Sequence, residues 1–343
     1  MSEFFFAWGL FLAKGLSVVV LVGLLAVVVL RSARRDQAPA ASGRLHVERF
    51  GDRLRRIRLA VQQQMLTRKE WKALIKAEEA AAKAKDNAER GQAKLYVLDF
   101  VGDIRASQVE ALRHEVSAIV QAAKPGDEVM VRLDSPGGMV HTYGLAASQL
   151  ARIKAAKLPL TICVDKVAAS GGYMMAAVAD RIVAAPFAVL GSIGVVAQLP
   201  NLNKVLKKLD VDYEIITAGK WKRTLTVLGE NTDEAREQFR KEIDHTHGLF
   251  QDFLAQHRPQ LPLAEVADGR TWYGTDAVGL GLCDEIRTSD DWLLERIEKF
   301  ELLRLQWMVK RGVGERFGSL VSTALGRVVD KAVERDLRQR SGM

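Results

Sequence analysis

The chain has 343 residues, enough for one large domain or two smaller ones with a substantial buried core. Lys and Arg outnumber Asp and Glu by 50 to 42, and the net charge of +8 is spread over a basic segment near the N-terminus and a basic tail, which suits anionic lipid headgroups at least as well as nucleic acid. No stretch interleaves basic and aromatic residues for base stacking, so no nucleic-acid partner is expected, and two cysteines, Cys163 and Cys283, without metal-ligand spacing neither demand a disulfide nor exclude an oxidising compartment.

Residues 4 to 30 are apolar apart from Lys14 and Ser17, the length needed to cross a bilayer core, and they predict one N-terminal transmembrane helix. A cleaved signal peptide is the rival, weakened by the length of the apolar run and by the lack of a small-residue cleavage site before the arginines. Arg31, Arg34 and Arg35 follow at once and favour a cytoplasmic body. The anchor is assigned to residues 1–35, and a charged, alanine-rich helical extension of strong helix formers to 36–93.

At Leu95 the texture changes. "KLYVLDFVGDI" and "DEVMVRLDSPGG" read as strands, "TYGLAASQLARIKAA" has helical spacing, and "LPLTICVDKVAASGG" is a third strand. That succession implies parallel pairing with right-handed crossovers, an α/β layered domain over 94–298. A short helix follows in "GYMMAAVAD", then strands in "RIVAAP" and "VLGSIGVV", whose Pro186, Gly191 and Gly194 argue against a second span. "VDYEIITAG" predicts a later strand, 232–258 a long charged helix, and 299–343 a basic amphipathic helical tail.

Two glycine pairs carry the chemistry. Ser170 in "AASGG" ends a strand and begins a helix, a junction that exposes a hydroxyl beside the first backbone N–H groups of the helix. Gly137 and Gly138 in "DSPGG" end another strand and can bring one more N–H to a carbonyl oxygen. Each pair alone reads as a tight turn; two at the ends of consecutive parallel strands exceed what turns need. A serine needs a base. Of six histidines only His141 lies near a glycine turn, and it reads as a helix-start or surface residue rather than a triad base. Lys220 and Lys222 in "TAGKWKRTL" are the other candidates, because an amine loses its proton more readily in an apolar pocket. Their spacing alone does not choose between them.

The ordered motifs "DSPGG" (134–138), "AASGGYMMA" (168–176), "GSIGV" (191–195), "GKWKRTLT" (219–226) and "GRTWYGTDAVGLGLCDEI" (269–286) resemble those of the signal peptide peptidase A family of membrane-anchored serine proteases, and within it the SohB-like bacterial inner-membrane peptidases. The resemblance covers roughly residues 95 to 290, as the quoted motifs span it. It implies a ClpP/crotonase-like stack of ββα units, peptide-bond hydrolysis without metal or cofactor, and ring-like homo-oligomers whose neighbouring subunits complete the binding groove. It further implies Ser170 as nucleophile, Lys222 as general base, Gly138 and Gly171 as oxyanion-hole donors and Ser192 as the group orienting the amine. Related enzymes place the catalytic domain outside the cytoplasm, against the vote of the arginines, so the face stays open. Apolar walls around Ser170 favour extended hydrophobic peptides such as signal-peptide remnants or membrane-protein fragments. The rivals are a non-catalytic membrane scaffold of the same fold and a crotonase-like acyl-CoA enzyme, which needs no serine nucleophile.

Overall fold

The computed structural model describes residues 43–88 and 92–309, so the apolar run at 4–30 and the tail beyond 309 lie outside the described residues. Among the described residues no helix is long and apolar enough to cross a membrane. The chain begins with β1 (Gly43–Arg49) and two charged helices, α1 (Phe50–Met65) and α2 (Arg68–Ala88). It continues with β2 (Lys94–Val101), α3 (Val109–Ala122), β3 (Glu128–Asp134), α4 (Val140–Ala155), β4 (Leu160–Val164), β5 (Val167–Ala169), α5 (Gly171–Ala177), β6 (Arg181–Ala184) and β7 (Val189–Gly191). Short α6 (Asn203–Lys208) and the long α7 (Asp233–His257) precede α8 (Leu263–Val266), β8 (Thr271–Tyr273), α9 (Gly274–Ala277), β9 (Glu285–Ile286), α10 (Ser289–Arg296) and β10 (Glu301–Val309).

A seven-stranded sheet has the order β1-β10-β2-β3-β4-β6-β9, with parallel pairing from β10 through β9. A small sheet, β5-β7-β8, stands beside it, and the bridge from Ser135 to Ala168 joins the end of β3 to β5. Each of β4 and β6 is thus followed by a short strand in the second sheet, β5 and β7, a repeat that delivers successive strand ends to one place.

Buried parallel strands must be apolar on both faces. In β2 the alternation sends Tyr96, Leu98 and Phe100 into a core shared with Leu112, Val116 and Ile119 of α3 and Tyr143, Leu150 and Ile153 of α4. Leu95 and Val97 face the other way, onto Phe50, Trp292 and Leu293 at the starts of α1 and α10.

Three expectations are corrected. Residues 301–309 are not part of a helical tail but form β10, pairing in parallel with β2 from Glu301↔Lys94 onward. The physical reason is alternation: Leu302 enters one core and Leu305 the other, while Arg304 between them reaches Asp99 with its Nε at 2.7 Å. The domain therefore extends past 298. The extension assigned to 36–93 is helical only from Phe50, since β1 precedes it. "VDYEIITAG" forms no strand: residues 211–217 are irregular and exposed, and no strand among the described residues pairs with them. The predicted charged helix is present as α7, capped by Thr232, whose hydroxyl accepts the Ala235 N–H at 3.1 Å.

Candidate active site

β5 runs buried to Ala169 and ends at Ser170, whose φ of 51° and ψ of −119° place it in a region L-residues avoid at a cost of about 1–3 kcal/mol. The turn is held from both sides. The Ser170 N–H donates to the Gly191 carbonyl at 2.8 Å, and the Ser170 carbonyl accepts from Met174 N–H at 3.0 Å to start α5. Gly171 is required because a Cβ there would overlap the Tyr143 ring, and Gly172 because one would strike the Ser135 carbonyl. The half-buried Ser170 hydroxyl makes no hydrogen bond among the described residues. Backbone strain of this kind clusters at functional sites and ligand clamps.

The "DSPGG" loop lies against this turn. Ser135 N–H donates to the Val167 carbonyl at 2.8 Å and Ala169 N–H donates to the Ser135 carbonyl at 3.0 Å, so the loop continues β3 as a partner of β5. At Gly137, with φ of 89°, a Cβ would lie 2.7 Å from the Gly171 nitrogen and 2.8 Å from Ser170 Cβ. Gly138 is pressed on the Ile104 carbonyl, which accepts the next N–H, that of Met139, at 2.9 Å. The Gly138 N–H has no partner among the described residues. Gly171 opens α5, so its N–H has no intrahelical acceptor. Two unsatisfied donors beside one free hydroxyl can receive developing negative charge on a carbonyl oxygen.

Ser192 joins the group through the small sheet, where Ala169 pairs with Gly191. It too is a non-glycine residue at positive φ, 50°, fixed by its N–H to the Arg270 carbonyl at 2.6 Å. The structure therefore gathers Ser170, Gly138, Gly171 and Ser192. It does not bond Lys222 to them: the lysine is exposed, within a stretch between β7 and α7 that has only α6 as regular structure. The two lysines differ all the same. Lys220 forms an ion pair with Glu234 at 2.6 Å and lies over the Trp221 ring, whereas the Lys222 amine has no ion pair or hydrogen bond among the described residues. The same stretch exposes Val196, Leu209, Tyr213 and Ile216, the last at 94%. His141 is exposed at the start of α4 and makes no bond to Ser170. Sequence reasoning missed Tyr143 and the Ser135 hydroxyl, although both lie within motifs it quoted.

A separate cavity of about 500 Å³ opens at the carboxyl ends of the large sheet, lined among others by Asp99, Arg132, Lys166, Arg304 and Glu115. Glu115 is 5% exposed and accepts the Trp307 N–H at 2.7 Å. Burial pushes its carboxyl up to about 7, against the pull of that N–H and with help from the negative charge of Asp99. A carboxyl raised in the folded state favours folding while protonated, so its contribution is lost as pH rises from the ordinary value of 4.5 through about 7. Glu115→Gln, which can still accept the N–H, is expected to be more stable than the parent at pH 8 by about 1–3 kcal/mol and no more stable at pH 4.5, read from urea midpoints.

The family model described as peptidase family S49 N-terminal matches residues 3–150, and that described as peptidase family S49 matches residues 152–302. A curated relative from Haemophilus influenzae, named probable protease SohB, is 46% identical over 334 residues, covering 93% of each chain. The chloroplastic serine protease SPPA of Arabidopsis thaliana is 36% identical over 170 residues, 49% of this chain and 25% of that one. Among solved structures, the ClpP protease catalytic domain from Plasmodium falciparum matches with a TM-score of 0.37 at 12% identity, covering 56% of this chain and 85% of that one.

Proposed function

The chain belongs to peptidase family S49, among the SohB-like proteases, and from that footing we propose that it is a serine endopeptidase in which Ser170 is the nucleophile and Lys222 the general base. The observation that carries this reading is the strained, unbonded hydroxyl of Ser170 beside the unsatisfied N–H groups of Gly138 and Gly171. In the reaction the neutral Lys222 amine takes the Ser170 proton as Oγ attacks the scissile carbonyl. The oxyanion of the tetrahedral intermediate is received by the Gly138 and Gly171 N–H groups. Collapse expels the amine, which takes the proton from the lysine, and leaves an acyl-enzyme. The neutral Lys222 amine, regenerated by that transfer, then activates water to release the carboxylic product. Ser192, one residue beyond the Gly191 carbonyl that holds Ser170, orients the amine.

In the single chain Lys222 is exposed to solvent. A second copy laid over the stretch 195–232 would cover its exposed apolar side chains and dry the amine, so the active form is a homo-oligomer whose subunits share the site. Exposed Ile104, Met139 and Val140 at the mouth favour extended apolar peptides. The apolar run at 4–30 anchors the enzyme in a bacterial membrane and brings such peptides within reach.

A fluorophosphonate probe tests the nucleophile. The parent protein is expected to be labelled at Ser170, seen as a modified peptide by mass spectrometry, and Ser170→Ala to take no label. A folded parent that takes no label, or an alanine variant labelled as strongly, overturns the assignment.

A further inference from the structure

The hydroxyls of Ser135 and Tyr143 are both fully buried and lie 2.6 Å apart. Tyr143 Oη also lies 2.8 Å from the Asp103 carbonyl, and Ser135 Oγ lies 3.1 Å from the Gly137 nitrogen. These contacts fix every proton. A carbonyl can only accept, so the single Tyr143 proton goes to Asp103. The Ser135 proton must therefore go to Tyr143, which leaves a Ser135 lone pair for the Gly137 N–H. A directed chain runs from Gly137 N–H through Ser135 and Tyr143 to Asp103, and each bond polarises the next. Burial raises the Tyr143 hydroxyl above its ordinary value, which keeps the proton in place.

The chain joins three segments: the loop after β2, the "DSPGG" loop after β3 and the first turn of α4. It turns the Gly137 N–H inward and uses it, while the Gly138 N–H one residue later stays unbonded. The Tyr143 ring touches the second donor as well, because the space where a Gly171 side chain would begin is filled by Tyr143 carbons. Gly102 is glycine for the same reason: a Cβ there would overlap both the Ser135 and Tyr143 oxygens. One tyrosine thus fixes the loop carrying one donor through its hydroxyl and supports the other through its ring.

We infer that Tyr143 and Ser135 are positioning residues for the oxyanion site, holding the Gly138 N–H in register with that of Gly171. The inference rests on the proposed acyl-enzyme chemistry. Neither residue touches substrate; they act by setting where a donor stands, and a shift of about 1 Å in such a donor costs on the order of 100-fold in rate.

The test uses the full-length protein, a fluorogenic apolar peptide, and Tyr143→Phe, Ser135→Ala and the double variant, with active sites counted by fluorophosphonate labelling. Tyr143→Phe keeps the ring under Gly171 and removes only the hydroxyl; Ser135→Ala breaks the same chain elsewhere should the first variant fold poorly. Each single variant is expected to lower kcat per labelled site by about 10- to 100-fold with KM within about twofold. The double variant is expected to be no worse than either single one, because both cut one chain. Unchanged kcat in folded Tyr143→Phe, losses that multiply in the double variant, or a rise in KM with kcat intact overturns the inference and leaves the protease reading standing. A parent protein that neither labels nor cleaves removes the reading and the inference together.

Discussion

Ser170→Ala and Lys222→Ala are each expected to reduce peptide cleavage by on the order of 10⁴- to 10⁶-fold while leaving the fold and assembly intact. Loss of the hydroxyl removes the acyl-enzyme route, and loss of the amine leaves a serine that cannot shed its proton. The proposed sharing of the site between subunits gives this pair a sharper test. Neither variant alone is active, but co-expressed copies would place the intact Lys222 of one beside the intact Ser170 of the other. Partial recovery in the mixture, measured as peptide turnover against each variant alone, is the expected result. Activity in either single variant overturns the dyad, and a dead mixture in which assembly is verified places the lysine within its own subunit.

The second large effect concerns stability. Arg258, at the end of α7, is 2% exposed and makes two bonds to the Asp284 carboxylate, at 2.8 and 3.0 Å, and one to the Gly281 carbonyl at 2.7 Å. Asp284 in turn accepts the Ile182 N–H at 2.7 Å, so this pair fastens the long helix to the start of β6. Arg258→Ala is expected to destabilise the protein by about 3 kcal/mol, the lower part of the range for a broken buried pair because the Asp284 side chain keeps 32% exposure. Burial pushes the Asp284 carboxyl up, but the Arg258 bonds and the Ile182 N–H outweigh it and hold the carboxyl below its usual value. A lowered carboxyl contributes stability above its unfolded value near 3.8 that is lost as pH falls through the folded one. The gap between parent and Asp284→Asn in urea midpoint should therefore be widest near neutral pH and close in acid.

How much of this was legible depended on whether a residue's partners are near in sequence. The strand ends at "DSPGG" and "AASGG" could be read because the glycines mark close backbone approach, and both pairs do press on neighbouring backbone. Tyr143 could not. In "TYGLAAS" it has helical spacing like any core aromatic, and only the fold brings its hydroxyl to Asp103, forty positions away. β10 was hidden by its charge: Arg304 looks like part of a basic helix until Asp99 is placed beside it. The strand predicted in "VDYEIITAG" (211–219) failed for the converse reason, since its alternation is real but no strand among the described residues pairs with it. The proposed dyad stayed half legible: one chain strains the backbone at Ser170 and leaves Lys222 exposed.

The position of β10 between β1 and β2 has a consequence for how the protein is made. Both flanking strands leave the ribosome long before Glu301 does, so the growing chain carries a vacant slot in its sheet until β10 follows. An unfilled strand edge beside apolar Leu95 and Val97 invites pairing with other nascent chains. The seven-stranded sheet is completed only when β10 enters that slot, which delays maturation of the sheet until Val309 has been synthesised.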